Sequence, residues 1–151
     1  MRKRNLNVKK ISHKKIFKYL KEKKIYKIYK NFHKNLSPLI KNQNFCAAIS
    51  GGPDSMALAF LLKCFGEEFN KKCIFYHVNH GIRKNSSLEA HLVKNLMKKI
   101  NCDLKILKWK GKKPSTNIQS IARINRYNLI FNEMKKKGIK KVFFGHTQED
   151  L

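Results

Sequence analysis

Acidic residues are scarce in this chain. Nine Asp and Glu stand against 35 Lys and Arg in 151 residues, a formal net charge of +26. So large an excess favours a polyanionic partner, nucleic acid first and an anionic membrane surface second. Arginine is scarce too: five, against 30 lysines, alongside 15 Asn and 15 Ile. That profile is the mark of AT-biased codon usage, so part of the charge is drift and the arginines carry more information than the lysines. Four cysteines, Cys46, Cys64, Cys73 and Cys102, sit far apart without a C-x-x-C pair, which argues against a zinc or iron–sulfur site built within the chain. Nothing suggests disulfides, which points to a reducing compartment: the cytoplasm, or the stroma of an AT-rich organelle. No apolar run reaches the roughly 18–20 residues of a membrane span, and the basic N-terminus lacks the apolar core of a secretory signal.

What is present divides near residue 43. Residues 1–43 hold 15 basic residues and one acid, Glu22, and so carry +14 of the +26. Phe17, Leu20, Ile28, Phe32 and Leu36 approximate a helical stripe there, which predicts one or two amphipathic helices over about 14–36, ended before Pro38. Such a helix either docks on the domain or lies along a phosphate backbone. From residue 44 apolar strands alternate with helices. The strands are 45–50, 73–78, 103–109 and 140–145. The helices are 54–65 (closing at Gly66), 86–100 (Ser86 and Glu89 read as a capping box) and 116–137 (ended by Gly138). This order predicts an α/β fold, a doubly wound parallel sheet with helices on both faces. Ligands in such sheets bind beyond the carboxyl ends of the strands, which selects loops 50–55, 79–85, 110–115 and 145–151. The stop at Leu151, directly after the fourth strand, suggests an incomplete sheet.

The most informative loop is SGGPDS, Ser50–Gly51–Gly52–Pro53–Asp54–Ser55. Two glycines between a strand and a helix let a bulky group approach the backbone, and the helix N-terminus offers N–H groups and a favourable dipole to an anion. The two serines add hydroxyls. No G-K-[ST] follows, so a Walker loop is excluded. Asp54 is the odd member, because an acid beside phosphate is repelled unless a cation such as Mg²⁺ bridges the two. The competing reading makes Asp54 merely the N-cap of the helix.

SGGPDS between a strand and a helix resembles the PP-loop of the N-type ATP pyrophosphatases, enzymes that split ATP between its α and β phosphates. Three further stretches extend the likeness. YHVNHGIRKNSSLEA (76–90), NIQSIARINRY (117–127) and GHTQEDL (145–151) are similar, in order, to motifs of the tRNA(Ile)-lysidine synthase family. The resemblance implies an adenine nucleotide alpha hydrolase-like fold. It implies a ligase that adenylates the wobble cytidine of tRNA(Ile) with a CAU anticodon and joins free L-lysine to C2, releasing AMP and pyrophosphate. It further implies that Ser50 through Ser55 bind ATP phosphates, that Asp54 and Asp150 are the Mg²⁺-linked carboxylates and that His146 belongs to the catalytic motif. Glu149 stands where that family carries a second Asp, and Leu151 where Gln is usual. A PP-loop tRNA thiolase and a catalytically inactive tRNA-binding fragment are the alternatives.

Arg123 and Arg126 stand at i, i+3 on one helix, beside Tyr127, and with Arg83 they are candidate phosphate, nucleotide or tRNA contacts. His80 and His146 lie in selected loops, whereas His13, His33, His77 and His91 read as surface or packing residues. Trp109 in KWKGKK either stacks a base or packs on the sheet.

Overall fold

The computed structural model describes residues 20–40 and 43–145. Helix α1 (Lys23–Ile40) precedes strand β1 (Phe45–Ala48), α2 (Pro53–Glu68), β2 (Cys73–Asn79), α3 (Ser86–Lys99), β3 (Leu104–Lys108), α4 (Ile118–Lys136) and β4 (Val142–Phe144). All four strands are parallel, in the order β3-β2-β1-β4. The chain winds outward from β1 through β2 to β3 and then returns to the other side of β1. The switch point therefore lies between the carboxyl ends of β1 and β4, where ligand crevices form in sheets of this kind.

Strand alternation sorts the core into two layers. Phe45, Ala47, Phe75 and Leu104 face α1, α2 and α3, packing with Leu36, Ile40, Leu62, Phe65, Val93 and Met97. Cys46, Ala48, Tyr76, Val78 and Leu107 face α4 through Ile130 and Met134. A sheet covered on both faces is the arrangement that the strand–helix order predicts.

Local chemistry departs from the sequence reading at four places. Helix α1 passes through Pro38 instead of stopping before it. Leu36 and Ile40 are almost fully buried, and burying two such side chains at about 1.5–3 kcal/mol each offsets the roughly 3 kcal/mol of an internal proline. Helix α1 docks its apolar side on α2: Tyr29 donates to Glu68, and the His33 ring lies against Phe65 and Phe69 at 5.7 and 5.1 Å. Ile28 of the expected stripe points to solvent, and Phe17 lies outside the described residues. Helix α2 runs through Gly66 to Glu68. Gly66 is instead a close-approach site, where a Cβ would lie 2.8 Å from the Lys71 carbonyl, and Asn70 (φ +51°) makes the turn out of the helix.

The capping box of α3 does not form. Asn85 holds the N-cap place at φ −91°, ψ 3°, so Ser86 already sits in the first turn and its hydroxyl donates back to the Arg83 carbonyl at 2.8 Å. By contrast, α4 ends as the sequence predicts. Gly138 is left-handed at φ +63° and its N–H reaches the Lys135 carbonyl. The Ile139 N–H reaches that of Met134, and the two side chains share one apolar cluster.

Candidate active site

The loop after β1 is built by one hydroxyl. Ser55 is buried; its Oγ accepts from the Gly51 N–H (3.0 Å) and the Ser50 hydroxyl (3.1 Å) and donates to the Gly52 carbonyl (2.9 Å). Both serine protons are thus used inside the loop, and the donors left for an anion are backbone amides of the first turn of α2, which helix geometry leaves without intrahelical acceptors. Pro53 takes the first helical position, where its missing N–H costs nothing. Of the two glycines only Gly51 uses a positive φ, +100°; Gly52 is the N-cap in an extended conformation, with φ −72° and ψ 164°.

Asp54 is the second residue of α2 and is exposed; no side chain caps this helix. The capping explanation for the acid is therefore wrong. Asp54 makes no ion pair among the described residues, although the chain carries 30 lysines.

Strand β4 delivers the chain to the same place. A Cβ on Gly145 would lie 2.9 Å from Ser55 Cα and 3.2 Å from the Asp54 carbonyl carbon, so only glycine lets this strand end touch the start of α2. His146, Glu149, Asp150 and Leu151 lie outside the described residues.

Beside the loop opens a cavity of about 640 Å³, bounded by the carboxyl ends of β1 and β2, the start of α3 and the first half of α4. Ser50, Ser55 and Gly145 line it, as do Arg83, Arg123 and Arg126. Pro53 and Asp54 lie outside this lining, at the start of α2. Loop 110–115, selected from the sequence, does not line the cavity; the N-terminal half of α4 takes that wall. Trp109 is half-buried, held by the His80 ring edge-on at 6.3 Å and by Lys113, whose ammonium lies 4.2 Å from the ring centroid. It therefore packs, as the plainer sequence reading has it.

Three lining residues present buried polar atoms without a hydrogen-bond partner among the described residues: Tyr76 Oη, His80 Nδ1 and Arg126 Nε. Buried polar groups are ordinarily paired, so this wall is shaped for a polar ligand or ordered water. His77, read from the sequence as a packing residue, also lines the cavity, with Nδ1 2.8 Å from the Ile49 carbonyl oxygen. The signal that could have found it is its place two residues before the end of a strand whose carboxyl end faces the site.

Burial lowers the pKa of both His77 and His80, and Arg126 pushes each in the same direction; Glu89 opposes this at His77. Both rings are therefore neutral at neutral pH. The unfolded chain takes up these protons near the ordinary histidine value of about 6.5, and the folded chain only at lower pH. The unfolded state thus binds more protons as pH falls through that range, and stability declines with acidification. The thermal midpoint is expected to be lower at about pH 5.5 than at about pH 7.5, with a smaller difference in the His77→Asn/His80→Asn double variant. Equal differences in calorimetric scans would contradict this.

A family model described as a PP-loop domain matches residues 18–151. The chain belongs to the PP-loop family. Among curated relatives of this PP-loop chain, a tRNA(Ile)-lysidine synthase of Bartonella henselae is 38% identical over 116 residues, which cover 76% of this chain and 24% of that protein. One of Rickettsia felis is 30% identical over 126 residues, covering 82% and 29%. The chain thus spans about a quarter of the length of these relatives. Two solved structures share the fold. The U34-tRNA thiolase NcsA from Methanococcus maripaludis, with its 4Fe–4S cluster, superposes with a TM-score of 0.70 at 20% identity, over 83% of this chain and 46% of that one. The NH3-dependent NAD synthetase of Campylobacter jejuni gives 0.57 at 19% identity, over 77% and 54%. The expected α/β PP-loop architecture is therefore present. Among the described residues no helix is long and apolar enough to cross a membrane.

Proposed function

We propose that this PP-loop chain is the adenylating core of a tRNA(Ile)-lysidine synthase, using ATP to activate the wobble cytidine of tRNA(Ile) bearing a CAU anticodon and then joining free L-lysine to it. The observation that carries this reading is a convergence. All three arginines among the described residues, Arg83, Arg123 and Arg126, line the cavity that opens beside SGGPDS. In a chain that uses lysine almost everywhere else, planar guanidinium groups gathered on one cavity suit phosphate and nucleotide recognition. The names of the relatives supply the substrate.

In this reading the amides at the start of α2 and the loop Ser50–Ser55 hold the ATP phosphates. The cytidine O2 attacks the α-phosphate and pyrophosphate leaves; the lysine amine then attacks C2 and AMP departs. Among the described residues no cluster of three or more His, Cys, Asp or Glu could hold a metal ion. Mg²⁺ is commonly held by one or two carboxylates together with substrate phosphates. The unpaired, exposed carboxylate of Asp54 at the anion-binding helix end suits this role, with Asp150 as its proposed partner. When bound, the ion offsets the charge that builds on the leaving pyrophosphate. Arg123 and Arg126 contact nucleotide or tRNA phosphate, Arg83 the tRNA at the cavity mouth, and His146 a reacting group.

The cysteines weigh against a thiolase. Burial pushes Cys46, Cys64 and Cys102 up to about 12 and raises Cys73 as well. Persulfide and cluster chemistry needs thiolates.

The test is pyrophosphate release by the chain with ATP, L-lysine and a CAU-anticodon tRNA. Release that requires the tRNA, with lysine incorporated into it, is expected. Release indifferent to tRNA, or sulfur incorporation from a persulfide donor instead of lysine, would overturn the proposal.

A further inference from the structure

His77 is a half-buried histidine for which the reaction above has no role, yet its setting is that of a proton acceptor. Its Nδ1 lies 2.8 Å from the Ile49 carbonyl oxygen. A carbonyl only accepts, so Nδ1 carries the hydrogen and Nε2 of the neutral ring carries the lone pair. That second nitrogen has no partner among the described residues, and the side chain lines the cavity that holds Ser50, Ser55 and Arg126. Ile49 immediately precedes Ser50, so the hydrogen bond ties the ring to the strand end that launches the phosphate loop. The charged and titratable groups that act on it are Glu89 on α3, which favours the imidazolium, and Arg126 on α4, which disfavours it. His80, whose own field also meets His77, is a poorer candidate. Its Nδ1 is buried without a partner, so nothing sets which of its nitrogens is open, and Arg126 and Lys113 both oppose its charging.

The two half-reactions make different demands. Cytidine O2 is a carbonyl oxygen with no proton to lose, so adenylation requires no base. The incoming lysine amine is an ammonium with a pKa of about 10.4 and must shed a proton before its nitrogen can attack. Resting on the function proposed above, we infer that His77 Nε2 accepts that proton in the second half-reaction, acting as a catalytic residue for lysine transfer and not for adenylation. The C2–N bond forms and the C2–O2 bond breaks. The electron pair of the broken bond leaves with AMP, and the amine proton moves to Nε2. Glu89 is placed to stabilise the resulting imidazolium.

The experiment separates the halves in the full chain. Single-turnover pyrophosphate release with ATP and tRNA, without lysine, reads adenylation; incorporation of labelled lysine reads transfer. His77→Asn keeps an amide N–H near the Nδ1 position for the Ile49 carbonyl but removes the distal acceptor. Adenylation is expected to stay within about threefold of wild type while transfer falls about a hundredfold, the usual scale of a lost general base. Hydroxylamine, already neutral at neutral pH, is expected to shrink the deficit, a response that a purely structural lesion would not give. Equal losses in both halves, or none in transfer, would overturn the inference. Should the variant fail to fold, the wild-type pH profiles decide: transfer is expected to pass through an ionisation below the ordinary histidine value of about 6.5, far from that of the lysine amine and lacking in adenylation, and a transfer profile that rises only with the amine, or that superimposes on adenylation, counts against His77. A wild-type chain that releases no pyrophosphate with tRNA would instead sink the proposed function itself.

Discussion

Replacing Asp54 by alanine is expected to abolish ATP cleavage while leaving the chain folded and able to retain tRNA. The side chain is exposed at the second position of α2 and caps nothing. Its loss removes one acid near a helix N-terminus, worth about 0.3–1 kcal/mol. The chemical cost is larger. Removing one group that stabilises the charge developing in a transition state costs on the order of 10²–10³ in rate, and tRNA-dependent pyrophosphate release should fall by at least that much.

A binding experiment checks the reason as well as the effect. A bare carboxylate beside phosphates repels them, and one bridged by a divalent cation attracts them. Wild type should therefore bind ATP more tightly than Asp54→Ala in Mg²⁺, and more weakly in EDTA. The order should invert between the two titrations. An order that stays the same would show that Asp54 does not reach the phosphates through a cation, and an unfolded variant would return the residue to a structural role.

Gly51→Ala is expected to be among the most destabilising single changes in the described part of the chain. The residue sits at φ +100°, where a Cβ costs about 1–2 kcal/mol. That Cβ would also lie 2.5 Å from Val93 Cγ2 on α3. Crowding of this kind in a packed core costs about 1–3 kcal/mol more, giving a total of about 2–5 kcal/mol by denaturant midpoint. The two parts are separable. Adding Val93→Ala relieves the contact but not the dihedral, so a double-mutant cycle should show about 1–3 kcal/mol of favourable coupling with a residual deficit. Additive losses would mean that α3 does not press on the loop. The pairing has a functional side, because it makes the phosphate loop depend on the seating of a helix that also brings Ser86 and Glu89 to the cavity.

Much of this was legible in one dimension because its causes are local. Apolar runs of strand length alternating with helical segments can be buried only as a sheet covered on both faces. The Gly138 ending of α4 is set by residues within one turn of it. SGGPDS is legible as a PP-loop because its glycines, proline and acid are adjacent in the chain. Where the sequence rules failed, core packing or a competing backbone partner had won. Pro38 is absorbed because Leu36 and Ile40 reach the core. Gly66 is kept inside α2 because the Lys71 backbone comes up against it, and the Ser86 hydroxyl turns back to Arg83 instead of capping.

The sequence by itself determined the architecture, the phosphate loop and the identity of the acid in it. Only the tertiary structure decided which distant residues share the cavity with that loop. The order β3-β2-β1-β4 sets β2 beside β1, which brings His77 to the Ile49 carbonyl, and returns β4 to the far side of β1, which lays Gly145 on Ser55. It also sets α4 over the ends of β1 and β2, so that Arg123 and Arg126 line the same cavity as Arg83. The physical reason is that strand order depends on which backbone edges pair and which apolar faces are covered. Those are properties of the whole sheet that no short stretch encodes, so a histidine read as packing became a cavity residue and a basic helix face became a wall of the site.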